Sequence, residues 1–347
     1  MNIDKKKIEI LEEYIVNSER ISITVHQRPD GDAMGSAIGL YYYLKSLNKS
    51  PIILLNDKYP NSLNFFIDNE LDKDIFDNGN FPNEIDYHFS HSDLIICLDF
   101  SIPSRTGSLE MPLINSTAKK IVIDHHLHPQ TQYFDLCFSL PEISSTCEYL
   151  YYILLNFKKI NNLANNLPKN TANALFIGMT TDTNNFANSV YNSTLAMAAE
   201  LLKTGVNRNK IIEELYLSYR EERLRLQGYL LNQNLKITET GVAYMILTRE
   251  IASKFNLEEG ETEGFVNIPL SIKNVRLSIF IKEDINKFRI SLRSKLGTSA
   301  NKCAKMYFNG GGHEQAAGGS LLLGEEVKNI SEIEDYITRV TNEFFQQ

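Results

Sequence analysis

The chain has 347 residues, of which 43% are hydrophobic and 22% charged, and a net charge of −8. That length admits two domains, each with its own core. The acidic balance argues against a protein that coats long nucleic acid, which needs a broad cationic surface. No apolar run reaches the about 18 residues of a membrane span, and the N-terminal MNIDKKKIEILEEYI lacks the apolar core of a signal peptide. Cys97, Cys137, Cys147 and Cys303 show no metal-type or redox-type spacing. A cytoplasmic location is the expectation.

In chain order, the pattern predicts an amphipathic helix from Lys5 to about Ser18 and a strand over Ile21–Val25. The stretch Ile21–Leu40, ISITVHQRPDGDAMGSAIGL, then breaks at Pro29-Asp30-Gly31-Asp32 before a helix read over Ser36–Leu47. A short strand follows at Pro51–Leu55, then an irregular region over Asn61–Asn83 with one or two short helices. Leu94–Leu98 is a continuous apolar run ending in Asp99, as expected of a strand buried on both faces. Lys120–Ile123 repeats that design and ends in Asp124-His125-His126. Helices are expected from about Ser145 to Phe157 and from about Thr171 toward Thr180-Thr181-Asp182-Thr183. Ser193–Gln233 reads as almost continuously helical, broken at Gly205, and suits a connector. Beyond it come strands at Val242–Leu247, Val275–Lys282 and Lys287–Arg293, a helix over Ala300–Phe308, a glycine-rich loop and a last helix over Glu326–Phe345.

The expected fold class is α/β: a mostly parallel N-terminal sheet flanked by helices, then a smaller α+β domain with a mixed sheet. The expected boundaries are 1–190 for the first domain, 191–234 for the connector and 235–347 for the second domain. Parallel sheets present functional groups at the carboxyl ends of their strands, and polar residues accumulate there: His26, Asp30 and Asp32, then Asp99, then Asp124, His125 and His126. Asp182 follows a helix. A single such aspartate is ordinarily a helix cap and a single histidine a surface residue. Several at successive strand ends call for a divalent cation to hold their carboxylates together. Oxygen-rich ligation with two imidazoles suits Mn²⁺ or Mg²⁺ better than a thiolate-bound zinc.

HQRPDGDAMGS, LDFS, IDHH, SSTCE, TDT, RISLRS and GGGH, in that order, resemble the DHH phosphoesterase superfamily with its DHH-associated C-terminal domain. Within it, the chain looks most like the nanoRNase/pAp phosphatase group. The resemblance implies two Mn²⁺ ions. His26 and Asp30 would hold one, Asp32, His125 and Asp182 the other, and Asp99 would bridge them. Asp124 would orient His125, His126 would contact the phosphate or assist the leaving oxygen, and Arg105 would support the site. In the second domain, Gly310, Gly311 and Gly312 are expected to form an anion-binding nest closed by His313. Arg293 is placed for bidentate phosphate contact. Arg289 divides evenly between substrate contact and a solvated strand cation, and Ser145 between phosphate contact and a helix cap. Pro269–Tyr307 holds nine Lys or Arg against Glu283 and Asp284, a local excess of seven positive charges. Asn309 stands where many members of the superfamily carry a further glycine.

The activity so implied is hydrolysis of short oligoribonucleotides to mononucleotides and of 3′-phosphoadenosine 5′-phosphate (pAp), with no membrane partner and a homodimer left open. The main alternative is a cyclic di-AMP or linear dinucleotide phosphodiesterase. A RecJ-type exonuclease, a family II pyrophosphatase and a non-catalytic nucleotide sensor rank lower.

Overall fold

The computed structural model describes residues 3–258 and 260–346, which fall into two compact units parting between Ser218 and Tyr219. The first unit opens with α1 (Lys5–Asn17), capped by the Asp4 carboxylate, which accepts from the Lys6 amide. Next come β1 (Ile21–Thr24), α2 (Gly31–Lys45), β2 (Ile52–Leu55), β3 (Ile75–Asp77), α3 (Pro82–His91) and β4 (Leu94–Leu98). The unit continues through α4 (Glu110–Asn115), β5 (Lys119–Asp124), β6 (Leu136–Ser139), α5 (Thr146–Leu155), α6 (Lys169–Asp182), α7 (Asn192–Lys203) and α8 (Arg208–Tyr216).

All pairings in its six-stranded sheet are parallel, in the order β3-β2-β1-β4-β5-β6. Every residue of β1 and β4 is buried; β4 carries apolar side chains on both faces, while β1 sets Ile21 and Ile23 on one face and the hydrogen-bonded Ser22 and Thr24 on the other. Leu94, Ile96 and Leu98 join the core built with α1, α2, α5 and α6, while Ile95 and Cys97 join the core under α3 and α4. The chain runs outward from β1 to β3 and returns at β4 on the other side of β1. Loops leaving β1 and β4 therefore diverge, and a crevice opens at the carboxyl ends of the two strands.

In the second unit, α9 (Glu221–Tyr229), β7 (Lys236–Ile237), β8 (Val242–Leu247) and α10 (Arg249–Lys254) precede β9 (Leu277–Glu283) and β10 (Lys287–Ser294). α11 (Ala300–Tyr307), β11 (Gly311–Gly312), β12 (Ala316–Leu322) and α12 (Ile330–Gln346) complete it. The sheet order is β11-β12-β10-β9-β8-β7, with β8 and β9 parallel and the other pairs antiparallel. The α/β class with a second, mixed sheet is as expected.

Several element boundaries differ from the sequence reading. α2 starts five residues earlier than Ser36, because Asp30 caps it directly. The irregular region hides β3, and β6 was not foreseen. The helical stretch 193–233 divides: Met197, Leu201, Ile211 and Leu215 pack into the first unit's core, while Leu226 and Leu230 pack with Phe265 and Phe280 of the second.

Candidate metal centre

Asp30 is the N-cap of α2. Its Oδ1 accepts from the amides of Asp32 and Ala33, both at 3.0 Å, which leaves Oδ2 facing His26 Nε2 at 3.8 Å. His26 Nδ1 lies 2.8 Å from the Gln27 carbonyl oxygen. Nδ1 therefore carries a proton, and Nε2 is the ring nitrogen that faces the carboxylates. Asp32 is buried and points across to the start of α5, whose Thr146 and Cys147 amides donate to its two oxygens at 2.7 and 2.9 Å.

Asp99 sits between these groups. Its φ of +63° is a left-handed conformation that aspartate tolerates better than most residues. Oδ2 lies 3.3 Å from His26 Nε2 and Oδ1 lies 3.4 Å from His125 Nε2, and Thr146 Oγ1 donates to Oδ1 at 3.0 Å. His125 Nε2 is also 3.8 Å from Asp32 Oδ2 and 3.6 Å from Asp182 Oδ2. Asp182 reaches this point because α6 packs on α2 with no side chain between the backbones. A β-carbon on Gly35 would stand 2.8 Å from the Ala174 carbonyl oxygen and 2.9 Å from the Gly178 Cα.

These nitrogen–oxygen separations are longer than the 2.7–3.2 Å of most N–H···O hydrogen bonds. Two donors bound to one cation at about 2.0–2.2 Å stand about 3.0–3.5 Å apart, close to what is seen. The donor chemistry agrees: two imidazole nitrogens and four carboxylates, with no thiolate. The residues thus fit two cation positions, one among His26, Asp30 and Asp99, the other among Asp32, Asp99, His125 and Asp182.

The electrostatics carry the same signature. Burial opposes charge on Asp99, but hydrogen bonding to His125 and His26 outweighs it and holds that carboxyl well below its usual range. Burial raises Asp32 well above the usual range, helped by Asp99 and Asp182 beside it. Burial also disfavours a charged His125, yet the hydrogen bond to Asp99 and the charges of Asp182 and Asp32 push it up to about 10. The cluster holds more negative charge than its surroundings balance, and it retains protons for want of another cation.

Asp124 orients His126, not His125 as expected: its Oδ1 lies 2.7 Å from His126 Nδ1. The two imidazoles lie edge to face with ring centroids 4.9 Å apart and both reach Asp99 Oδ1, His125 through Nε2 at 3.4 Å and His126 through Nδ1 at 3.7 Å, and it is the His126 ring that meets the Asp124 carboxylate. Burial, and then the nearby Arg105 charge, lower the His126 pKa despite Asp124. The half-buried Arg105 has the same lowering influence on His26, so its guanidinium lies within electrostatic reach of both histidines.

Ser145 is wholly buried and serves as the N-cap of α5, accepting from the Glu148 amide at 3.0 Å; the substrate role considered for it falls away. Sequence reasoning missed Asn56 and Asp57 at the end of β2. Asp57 accepts from the Arg28 amide, and Asn56 accepts from the Ser108 amide and hydroxyl, so together they tie down the loops after β1 and β4. Two polar residues at a strand end were the available signal.

In the second unit the expected amide nest does not form. The Gly310 amide donates to Ala304 O, and Gly311 and Gly312 pair with Gly318 and Ala317 of β12. The His313 amide and the Ala316 carbonyl then close a tight hairpin at 2.7 Å. Arg289 Nε is bound to Asp284 Oδ2 at 2.8 Å, and Arg293 Nη1 donates to Leu292 O at 2.9 Å. Both arginines are half-buried on the same face of β10.

Residues 20–179 match the DHH family, N-terminal domain, and residues 239–339 the DHHA1 domain. The chain is 30% identical over 323 residues to a probable bifunctional oligoribonuclease and PAP phosphatase NrnA of Streptococcus mutans, which covers 90% of this chain and 95% of that one. It is 31% identical over 341 residues, 96% of each chain, to the MG371 homologue of Mycoplasma pneumoniae. A crystal structure of an exopolyphosphatase-related protein from Bacteroides fragilis has a TM-score of 0.89 at 33% identity, covering 99% of this chain and 97% of that one. Among the described residues no helix is long and apolar enough to cross a membrane. The chain belongs to the DHH family of phosphoesterases and carries a DHHA1 domain after the DHH domain.

Proposed function

We propose that the protein is a Mn²⁺-dependent phosphoesterase that hydrolyses short oligoribonucleotides to mononucleotides and dephosphorylates pAp. The observation that carries this reading is Asp99, whose two oxygens face two different sets of donors. His26, Asp30 and Asp99 would hold one cation; Asp32, Asp99, His125 and Asp182 would hold the other. When bound, such a pair of cations makes a water nucleophilic near neutral pH and neutralises charge on the phosphoryl group. The remaining residues prepare the site for that chemistry. The α5 amides fix Asp32, and the Gln27 carbonyl fixes the His26 tautomer. Asp124 holds the Nδ1 proton of His126, so Nε2 is the nitrogen that would meet a phosphoryl or leaving oxygen. Arg105 would add positive charge for the phosphate, and Arg293, His313 and the glycine hairpin of the DHHA1 domain would grip the nucleotide. The name of the Streptococcus mutans relative supports the substrate class.

The test is turnover of pApA, pGpG and pAp with Mn²⁺, with cyclic di-AMP and a long single strand as comparators. Short linear substrates should be cleaved fastest. Asp99→Ala should lose orders of magnitude in kcat while keeping its circular dichroism spectrum. Failure of the wild-type protein to cleave any short substrate would sink the proposal.

A further inference from the structure

Glu148 is a fully buried carboxyl group that the proposed chemistry does not use. It stands three residues after Ser145, the N-cap of α5. That is the spacing of a capping box, in which the glutamate reaches back to the N-cap amide. Only half of that box forms here. The Ser145 hydroxyl accepts from the Glu148 amide, but Glu148 Oε2 is engaged one residue earlier, where it accepts from the Ser144 amide at 3.2 Å and the Ser144 hydroxyl at 2.5 Å. The same oxygen accepts from Thr194 Oγ1 of α7 at 2.7 Å. Oε1 is buried with no hydrogen-bond partner among the described residues. A cap needs one short polar side chain, which Ser145 already supplies, and burying a carboxyl group beside it costs more than capping returns.

What this carboxyl group holds is the segment 144–147. The Thr146 and Cys147 amides in that segment carry Asp32, and Thr146 Oγ1 carries Asp99 Oδ1. Ser144, Ser145, Thr146, Cys147 and Thr194 are all buried, and a closely packed interior transmits a shift instead of absorbing it. Any displacement therefore passes to Asp32 Oδ2 and Asp99 Oδ1, the two oxygens that face His125 Nε2. The other cation position is secured differently: the amides of α2 hold Asp30, and the Gln27 carbonyl holds His26. The leverage of Glu148 is one-sided.

Building on the two-cation reading, we infer that Glu148 is a positioning residue for the cation at Asp32, Asp99, His125 and Asp182. Through Ser144 and the first turn of α5 it sets the affinity of that position and leaves the position at His26 and Asp30 unaffected.

The test is calorimetric Mn²⁺ titration of the full-length protein, with each position isolated by removing a ligand of the other. Glutamine at 148 keeps the shape and accepts weaker hydrogen bonds than a carboxylate. In an Asp30→Ala background, adding Glu148→Gln should weaken the remaining ion by about tenfold or more, the usual cost of losing the hydrogen-bonded support of a metal ligand. In an Asp32→Ala background the same change should leave the affinity of the remaining ion as it was. Ser144→Ala, which removes one donor and keeps the carboxyl group, should give a smaller loss at the same position. Added to Glu148→Gln it should cost nothing further, because the two act as one unit. A purely structural glutamate would lower the melting temperature in EDTA and move neither affinity. That result from Glu148→Gln, or from Ser144→Ala where Glu148→Gln does not fold, overturns the inference, as does an equal loss at both positions. Either outcome leaves the phosphoesterase reading standing. A wild type that binds fewer than two Mn²⁺ overturns the two-cation reading and the inference together.

Discussion

At the scale of single residues, the separate duties of Asp30 and Asp32 are the most direct thing to test. They flank Gly31, yet Asp30 turns to His26 while Asp32 crosses to the α5 amides and His125. Of the two Mn²⁺ proposed to bind each chain, Asp30→Ala and Asp32→Ala should each remove one, and Asp99→Ala both, as counted by native mass spectrometry. Loss of both ions from either single variant would show the two positions to be inseparable. The pH dependence follows from protons the cluster retains. His125 lies at about 10 and Asp32 well above the carboxylate range, against unfolded values of about 6.5 and about 3.9. Both folded values are raised. Their contribution to stability without a cation is therefore full below the unfolded values and lost as pH rises through the folded ones. Melting temperatures in EDTA should fall from about pH 6.5 toward pH 10, and Mn²⁺ should flatten that slope. Because ligation must expel the same protons, Mn²⁺ affinity should rise from about pH 6 to about pH 8 with proton release, measurable by titration calorimetry in buffers of different ionisation enthalpy. Much of this cluster is legible in the chain, since His26, Asp30, Asp32, Asp99 and His125 stand at or just beyond the ends of apolar runs. The partner of Asp124 was not, because it depends on how two adjacent imidazoles turn beyond the strand end. The Thr146 and Cys147 contributions were hidden as well, since a backbone amide leaves no mark in a sequence.

At the scale of elements, the site depends on how closely α2, α5 and α6 approach one another. Gly178 lies at their junction, and a β-carbon there would stand 2.2 Å from Cys147 Sγ and 3.1 Å from Asp32 Oδ1. Gly178→Ala should therefore destabilise the protein by about 1–3 kcal/mol through overpacking and displace Asp182 from His125, weakening Mn²⁺ binding. Adding Cys147→Ala removes the nearest obstruction and should restore part of both; no recovery in urea titrations would place the strain elsewhere. The helices themselves were easy to read from apolar spacing, but this contact was not, because small residues in a helix say nothing about which partner they admit. The short edge strands escaped for a related reason. β3 and β6 are only partly buried, so neither carries the continuous apolar run that marks β2 and β4, and their pairing is settled by the neighbouring strand.

At the scale of the whole molecule, the parallel α/β unit and the mixed-sheet unit each have their own core, and the family assignment rests on both. Two-domain organisation was readable from the switch in pattern after the long helical stretch. The allegiance of that stretch was not, because its leucines suit either core. The strand order has a further consequence, in the time domain. The donors lie on separate segments between His26 and Asp182, and β1 meets β4 only after the chain has travelled out to β3 and back. No two strand-end loops can share an ion until those long crossovers have closed, and non-local closures of this kind come late in folding. Mn²⁺ should thus find its ligands only after the rate-limiting barrier has been passed. Stopped-flow measurements should show a refolding limb indifferent to Mn²⁺ and an unfolding limb slowed about a hundredfold at a hundred times the dissociation constant. The ion would then lock a finished structure and guide none of its assembly.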